Sequence, residues 1–420
     1  MYPSQPIKIS PGSLGHTTVF ESTGLEKWRG EQTRSTLLEK KPDGRLPDQV
    51  YDAYKREFTN GVVNAGTKCN LRCFYCSQEF NPPNLVPDYR EFLTVEEIKH
   101  FLSFVPNKNI VKIGSSDLVG AGEFFSHPQA FEIFQYLKDE DFIVNDISTN
   151  GIPITEDHVK LMDGWVKNIG LHLTGPGGTL HMPNEHSTST IETFDLVDKY
   201  KIPYSVYIVP TRNDIEHNRI EEWIGSLQDR SLEEIRLLQP GYTKYTPEKI
   251  AKQMDISNEE IWYLIEKWQR KYPKIKIDYQ RGKLHEASIL NSLLNFMATY
   301  TQYTTIERPK TLFLIAKSVE DIFEDVLKVF TPIDNYKIHT VENITFGGNC
   351  EISGLLLVDD YVAAIEKVLA TGYKPDFLVF PKISFEVYPV PGVDGWVDAD
   401  LRGIPALDIS EKFKIPMQWC

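Results

Sequence analysis

The stretch Cys69-Asn70-Leu71-Arg72-Cys73-Phe74-Tyr75-Cys76 places three cysteines within eight residues, in a C-x3-C-x2-C spacing. The 420-residue chain has only five cysteines, and the other two, Cys350 and Cys420, are isolated. An odd, sparse count is no disulfide framework and points to a reducing compartment. Three thiolates on one short loop can wrap one face of a cubane iron–sulfur cluster, each sulfur reaching a different iron. A closed structural zinc site would need a fourth ligand, usually from a second close pair. Here that ligand would have to be Cys350 or a histidine. Three cysteines suit a cluster with one iron left open, where a substrate or cofactor can bind.

Outward from this loop the pattern is alternating. Short apolar runs at Gly61–Ala65, Ile110–Ser115, Phe142–Ser148, Ile169–Thr174, Tyr204–Val209 and Glu234–Leu238 read as strands. Amphipathic stretches lie between them, among them Gln129–Lys138, Glu156–Trp165, Ile191–Tyr200 and Arg219–Gln228. Thr94 and Glu97 form a capping box ahead of Ile98, Phe101 and Leu102. Six strands separated by helices predict an α/β body with a parallel sheet, because parallel neighbours need crossover connections. Periodicity leaves open whether that sheet is doubly wound or a partial barrel. Ser257–Lys271 predicts a further helix and Lys274–Tyr279 a further strand.

The cysteine spacing at the end of the first strand, with the aromatic Tyr75 before the third cysteine, resembles the radical S-adenosylmethionine (SAM) superfamily. The resemblance implies a partial (β/α)6 barrel over residues 60–285. It implies a [4Fe-4S] cluster on Cys69, Cys73 and Cys76, with SAM on the fourth iron and Tyr75 near its adenine. Gly120-Ala121-Gly122-Glu123 resembles the family's Gly-Gly-Glu motif, which takes the SAM ammonium, with Ala121 a departure from it. Ser148-Thr149-Asn150 at the third strand end resembles the ribose-binding motif, and hydroxyl and amide groups suit a diol. Arg212, after the fifth strand, is expected at the SAM carboxylate. His172 on the fourth strand and Tyr242 and Lys244 after the sixth are expected near substrate. The structural alternatives are a packed strand histidine, a solvated loop arginine and ordinary polar turns.

The remainder of the chain has less specific signals. Residues 1–59 read as an extension with one helix at Pro47–Phe58, residues 286–308 as a connecting helix, and residues 309–420 as a C-terminal α/β or α+β domain. There Leu312–Ala316, Ile338–Val341, Ser353–Val358 and Phe377–Phe380 are predicted strands, and Val319–Val329 and Tyr361–Ala370 predicted helices. Three strings in it are Asn343-Ile344-Thr345-Phe346-Gly347-Gly348-Asn349, Ile352-Ser353-Gly354-Leu355-Leu356 and Asp376-Phe377-Leu378-Val379-Phe380-Pro381. Together they resemble an uncharacterised domain of PDZ-containing radical SAM proteins.

A net charge of -14 argues against a general nucleic-acid binder or a ligand of anionic membranes. No apolar run approaches about 18 residues, so no bilayer span is expected. The start, Met1 to Ser10, has no apolar signal core, and a cytoplasmic, oxygen-sensitive protein is expected. The leading expectation is an enzyme that cleaves SAM to a 5′-deoxyadenosyl radical and takes hydrogen from a small molecule or peptide. Flavodoxin or ferredoxin would supply the electron. The alternatives are a methyltransferase with a methyl carrier such as cobalamin, and a zinc-stabilised binding protein.

Overall fold

A computed structural model describes residues 38–71, 76, 80–83, 85, 89–114, 122–173, 187–279, 309–330, 335–389 and 396–419. Its larger sheet has seven parallel strands: β1 (Val62–Val63), β3 (Lys112–Ile113), β5 (Ile147–Thr149), β6 (Ile169–His172), β7 (Tyr204–Ile208), β8 (Glu234–Leu237) and β9 (Ile277–Tyr279). They lie side by side in chain order. With right-handed crossovers, such an order keeps every connecting helix on one face, and the sheet curls into an arc. This is a partial barrel, with β9 extending the six expected strands by one.

The outer face of the arc is apolar and forms the main core. Ile147, Ile169, Val206 and Ile235 pack there beneath helix residues such as Ile133, Val197, Ile224 and Ile265. These come from α3 (Ala130–Asp139), α5 (Ser187–Lys199), α7 (Arg219–Leu227) and α9 (Asn258–Lys271). Shorter helices intervene along the chain: α4 (Glu156–Met162), α6 (Arg212–Glu216) and α8 (Glu248–Met254). α1 (Asp48–Thr59) belongs to the main core. Its Tyr54 and Phe58 rings lie 5.7 and 5.5 Å from Phe101 of α2 (Val95–Leu102). The Thr94–Glu97 capping box forms as expected.

Two expected strands are each broken in two. Asn109–Ile110 (β2) and Ile143–Val144 (β4) leave the main sheet and pair with each other. Asn145 holds the break, its Nδ2 donating to Asn109 Oδ1 and to the Ile110 carbonyl.

The second sheet joins β10 (Thr311–Ala316), β11 (Tyr336–Val341), β12 (Phe377–Phe380) and β15 (Met417–Trp419), all parallel, in the order β11-β10-β12-β15. Phe313 and Ile315 face α10 (Glu320–Phe330), while Leu312 and Leu314 face α11 (Val358–Ala370) and α12 (Leu407–Phe413). The sheet is doubly wound, with its switch point between β10 and β12. The segment after β11 crosses that point. Ser318 N–H donates to the Glu351 carbonyl at 3.0 Å, and Ser384 Oγ donates to the Ser353 carbonyl at 2.7 Å.

The strand expected at Ser353–Val358 is not there. Asp360 accepts the N–H groups of Leu357, Ile344 and Thr345, and Asp400 accepts that of Val358. These acids satisfy the N-terminus of α11, which therefore begins at Val358. The antiparallel pair β13 (Glu386–Pro389) and β14 (Trp396–Ala399), α12 and β15 were not expected. The expected helix at 286–308 and most of the N-terminal extension lie outside the described residues.

Candidate active site

The strand ends of the barrel are knitted to the cysteine loop. Gly122 packs directly on the segment ahead of Cys69, and a Cβ on it would stand 2.0 Å from the Gly66 carbonyl oxygen. Only glycine fits this approach. The next N–H, that of Glu123, donates to the Lys68 carbonyl at 3.0 Å. The end of the second strand unit is thus clasped to the residue before the first cysteine.

Glu123 is buried and carries the connection to the third strand end. Its Oε1 accepts from Thr149 Oγ1 at 2.8 Å and from Phe125 N–H at 3.2 Å, and its Oε2 accepts from Asn150 N–H at 2.9 Å. Asn150 then reaches the cysteine loop, its Nδ2 donating to Asn70 Oδ1 at 2.8 Å with Cys69 Sγ at 3.9 Å. The Leu71 N–H also donates to Cys69 Sγ at 3.4 Å. Donors aimed at a sulfur suit a thiolate. Cys69 is exposed at this strand end, and Cys76 is half-buried against Leu71 and Ile152. The donor set fits a cluster bound by thiolates. Cys73, Tyr75, Gly120 and Ala121 lie outside the described residues. Asn70 and Lys68 escaped the sequence reading, although both flank the first cysteine.

Ser148 and His172 face the inside of the arc, joined by a 2.9 Å hydrogen bond between Ser148 Oγ and His172 Nε2. The His172 ring also meets the edge of Tyr207, with centroids 5.2 Å apart. Ser148 and His172 therefore belong to one buried polar group, which includes Tyr207, a residue that sequence reasoning missed.

Three further residues named from the sequence make contacts within the protein. Arg212 donates through Nη1 to Glu260 at 2.5 Å and through Nη2 to the Asp255 carbonyl at 2.7 Å. The guanidinium is thus held to α9 and the turn before it. Lys244 Nζ donates to the Ile344 carbonyl at 2.7 Å, and its N–H to the Phe346 carbonyl at 2.8 Å. Lys244 thus meets the long loop of the C-terminal sheet. Tyr242 joins the same seam: its N–H donates to Asn349 Oδ1 at 2.7 Å, and Asn349 Nδ2 donates to the Pro240 carbonyl at 2.9 Å. Burial and the nearby Asp255 raise the Tyr242 hydroxyl above its ordinary range.

Cys350 is buried in this seam beside Leu85, Phe346 and Leu355. Its Sγ donates to the Tyr242 carbonyl at 3.4 Å, and burial pushes the thiol up to about 12. The structure thus packs Cys350 in an apolar cluster of the seam. Among the described residues no group of three or more His, Cys, Asp or Glu is placed to hold a metal ion.

Residues 63–224 match the family model described as the radical SAM superfamily. A probable GTP 3',8-cyclase of Methanocaldococcus jannaschii is 28% identical over 123 residues, which is 29% of this chain and 38% of the relative. Another from Methanococcus maripaludis is 25% identical over 122 residues, 29% of this chain and 38% of the relative. The chain thus matches under two fifths of the length of these curated relatives. Among solved structures, Streptococcus suis SuiB bound to S-adenosylmethionine aligns with a TM-score of 0.38 and 12% identity, covering 52% of this chain and 49% of that one. A radical SAM methyltransferase from Sphaerobacter thermophilus aligns with a TM-score of 0.39 and 17% identity, covering 53% of this chain and 66% of that one.

Residues 63–224, under half of the chain, thus carry the match to the radical SAM superfamily. The family's cofactors are a [4Fe-4S] cluster and S-adenosylmethionine. No helix among the described residues is long and apolar enough to cross a membrane.

Proposed function

We propose that this protein cleaves SAM reductively and uses the resulting 5′-deoxyadenosyl radical to abstract hydrogen from a small molecule. The observation that carries the reading is the bonded path Lys68–Glu123–Asn150–Asn70, which gathers three strand ends around Cys69. Cys69, Cys73 and Cys76 would hold the cluster, which with SAM bound supplies the radical. Gly122 lets the second strand end lie close to the backbone ahead of Cys69, where a cofactor ammonium needs acceptors. Thr149 and Asn150 supply the groups for a ribose. Tyr75 would pack on the adenine.

The small-molecule class is supported by the seam between Tyr242 to Lys244 and Asn343 to Cys350. It lays the C-terminal sheet's loop over part of the barrel's upper rim and narrows the way in. GTP, on which the curated relatives are named to act, is one substrate to try. Flavodoxin or ferredoxin is the proposed electron donor.

Anaerobic purification tests the reading. About four irons and four sulfides per chain, and 5′-deoxyadenosine formed from SAM with dithionite, are expected. Stoichiometric zinc without iron would reject it.

A further inference from the structure

Two N–H donors meet the sulfur of Cys69, the first cysteine of the triplet. The Leu71 backbone N stands 3.4 Å from Sγ, and Asn150 Nδ2, just after β5, stands 3.9 Å from it. The Leu71 donor comes with the turn of the loop itself. The Asn150 amide comes from 81 residues away in sequence, so only the fold delivers it. Its orientation is fixed by three bonds. The Asn150 backbone N–H donates to Glu123 Oε2 at 2.9 Å, its Oδ1 accepts the Ile152 N–H at 3.0 Å, and Nδ2 donates to Asn70 Oδ1 at 2.8 Å. The Ile152 bond sets which end of the amide is oxygen, and the Asn70 bond uses one of the two hydrogens on Nδ2. The second hydrogen is the one left for the sulfur. Asn150 is buried, so solvent competes little for it.

The worth of these donors depends on the charge of the sulfur. The Cys69 thiol also reaches Asn70 Oδ1 at 3.6 Å, a bond that requires the S–H proton. Binding iron removes that proton. The Asn70 contact is then lost as a hydrogen bond, while the two N–H contacts strengthen against an anionic sulfur. The amide pair therefore suits the ligating thiolate: Asn70 turns its oxygen to Asn150, and Asn150 turns its N–H to Cys69. Hydrogen bonds to the sulfurs are among the levers that set a cluster's reduction potential. An added electron makes the sulfurs more negative, so a donor aimed at one of them favours the reduced state.

We infer that Asn150 is a positioning residue that acts through Cys69: its Nδ2–H on Sγ raises the reduction potential of the cluster and eases one-electron reduction, with Asn70 aiming the amide. The inference rests on the proposed function, in which Cys69 is a cluster ligand. The ribose contact proposed for Asn150 would use the second lone pair of Oδ1, beside the one taken by Ile152. What is added is a link from the third strand end to the redox state of the cluster.

Redox titration of the full, cluster-reconstituted chain without SAM, followed by electron paramagnetic resonance, tests it. Titanium(III) citrate supplies the single electron that takes the cluster from its 2+ to its 1+ state. Asn150→Asp keeps an acceptor for the Ile152 N–H and exchanges the donor for a negative oxygen. Its reduced-to-oxidised ratio at a fixed potential should fall roughly tenfold, the size of one bond to a charged acceptor. That is a downward shift of about 60 mV for one electron. Asn70→Ala, at an exposed position, releases the aim and should lower the ratio roughly threefold, about 30 mV. Thr149→Val removes a bond to the same Glu123 without removing a donor from the sulfur, so stability should fall while the midpoint stays. Coinciding midpoints for wild type and Asn150→Asp overturn the inference. If Asn150→Asp assembles no cluster, an unmoved midpoint in Asn70→Ala overturns it. An equal fall in all three variants overturns it in favour of a structural effect. A wild-type chain that takes up no iron rejects the proposed function as well, whereas a full cluster with unmoved midpoints rejects this inference alone.

Discussion

The Glu123 carboxylate accepts the Asn150 backbone N–H at 2.9 Å, which ties the second strand end to the third at the edge of the cysteine loop. Glu123 is buried and Thr149 also donates to it, so the acid is a structural node beside the proposed cofactor site. Glu123→Ala removes both acceptors from buried donors and should destabilise the protein by about 2 kcal/mol. Urea unfolding measures this, and SAM affinity should fall in parallel. A variant with unchanged stability would show that the node is not formed in solution.

Gly122→Ala tests the clasp itself. The added methyl would stand 2.0 Å from the Gly66 carbonyl oxygen, with backbone on both sides and no flexible side chain to move. A cost of roughly 3 kcal/mol is expected, together with loss of iron from the anaerobically purified protein. Gly164→Ala is the control for added bulk, since nothing lies within 4 Å of its Cβ position, although its φ of +67° will cost a little.

Cysteine substitutions should divide sharply. Cys69→Ser, Cys73→Ser and Cys76→Ser are expected to lose most of the iron and the visible absorbance of the cluster. Cys350→Ala should keep both, because its thiol donates to the Tyr242 carbonyl within an apolar cluster. Iron and acid-labile sulfide assays decide between these outcomes.

The same thiol predicts a pH dependence. Its folded pKa of about 12 lies above the ordinary thiol value of 9.0, so the fold favours the neutral form. That contribution is complete below pH 9 and is lost as pH rises from 9 towards 12, with a slope of about 1.4 kcal/mol per pH unit. Denaturant midpoints measured across this range should fall more steeply for the wild type than for Cys350→Ala.

Asn349 is the pin of the seam between the two sheets, bonding both Tyr242 N–H and the Pro240 carbonyl. Asn349→Ala leaves both groups without that partner and should cost about 1–3 kcal/mol. Hydrogen exchange at residues 240–245 should quicken while the outer-face strands stay protected. Equal exchange in wild type and variant would mean that the seam does not hold the loop.

The sequence by itself determined the strand–helix alternation, the parallel sheet and the cysteine loop at the first strand end. Each of these is written in local signals: apolar periodicity, a capping box, and three rare residues at one spacing. The order of the strand-end motifs was legible for the same reason. Local signals could not show that Asn109–Ile110 and Ile143–Val144 leave the sheet, because Ile110, Ile143 and Val144 are apolar enough to stay in it. They also could not place α11, whose start depends on Asp400, 42 residues from Val358.

Tertiary structure alone decided which polar side chains meet. Arg212 and Lys244 looked like site residues because charged groups after a strand often face the barrel mouth. The partners the fold gives them, Glu260 and the Ile344 carbonyl, lie 48 and 100 residues away. A side chain's type is local information, whereas its partner is set by the closure of the fold.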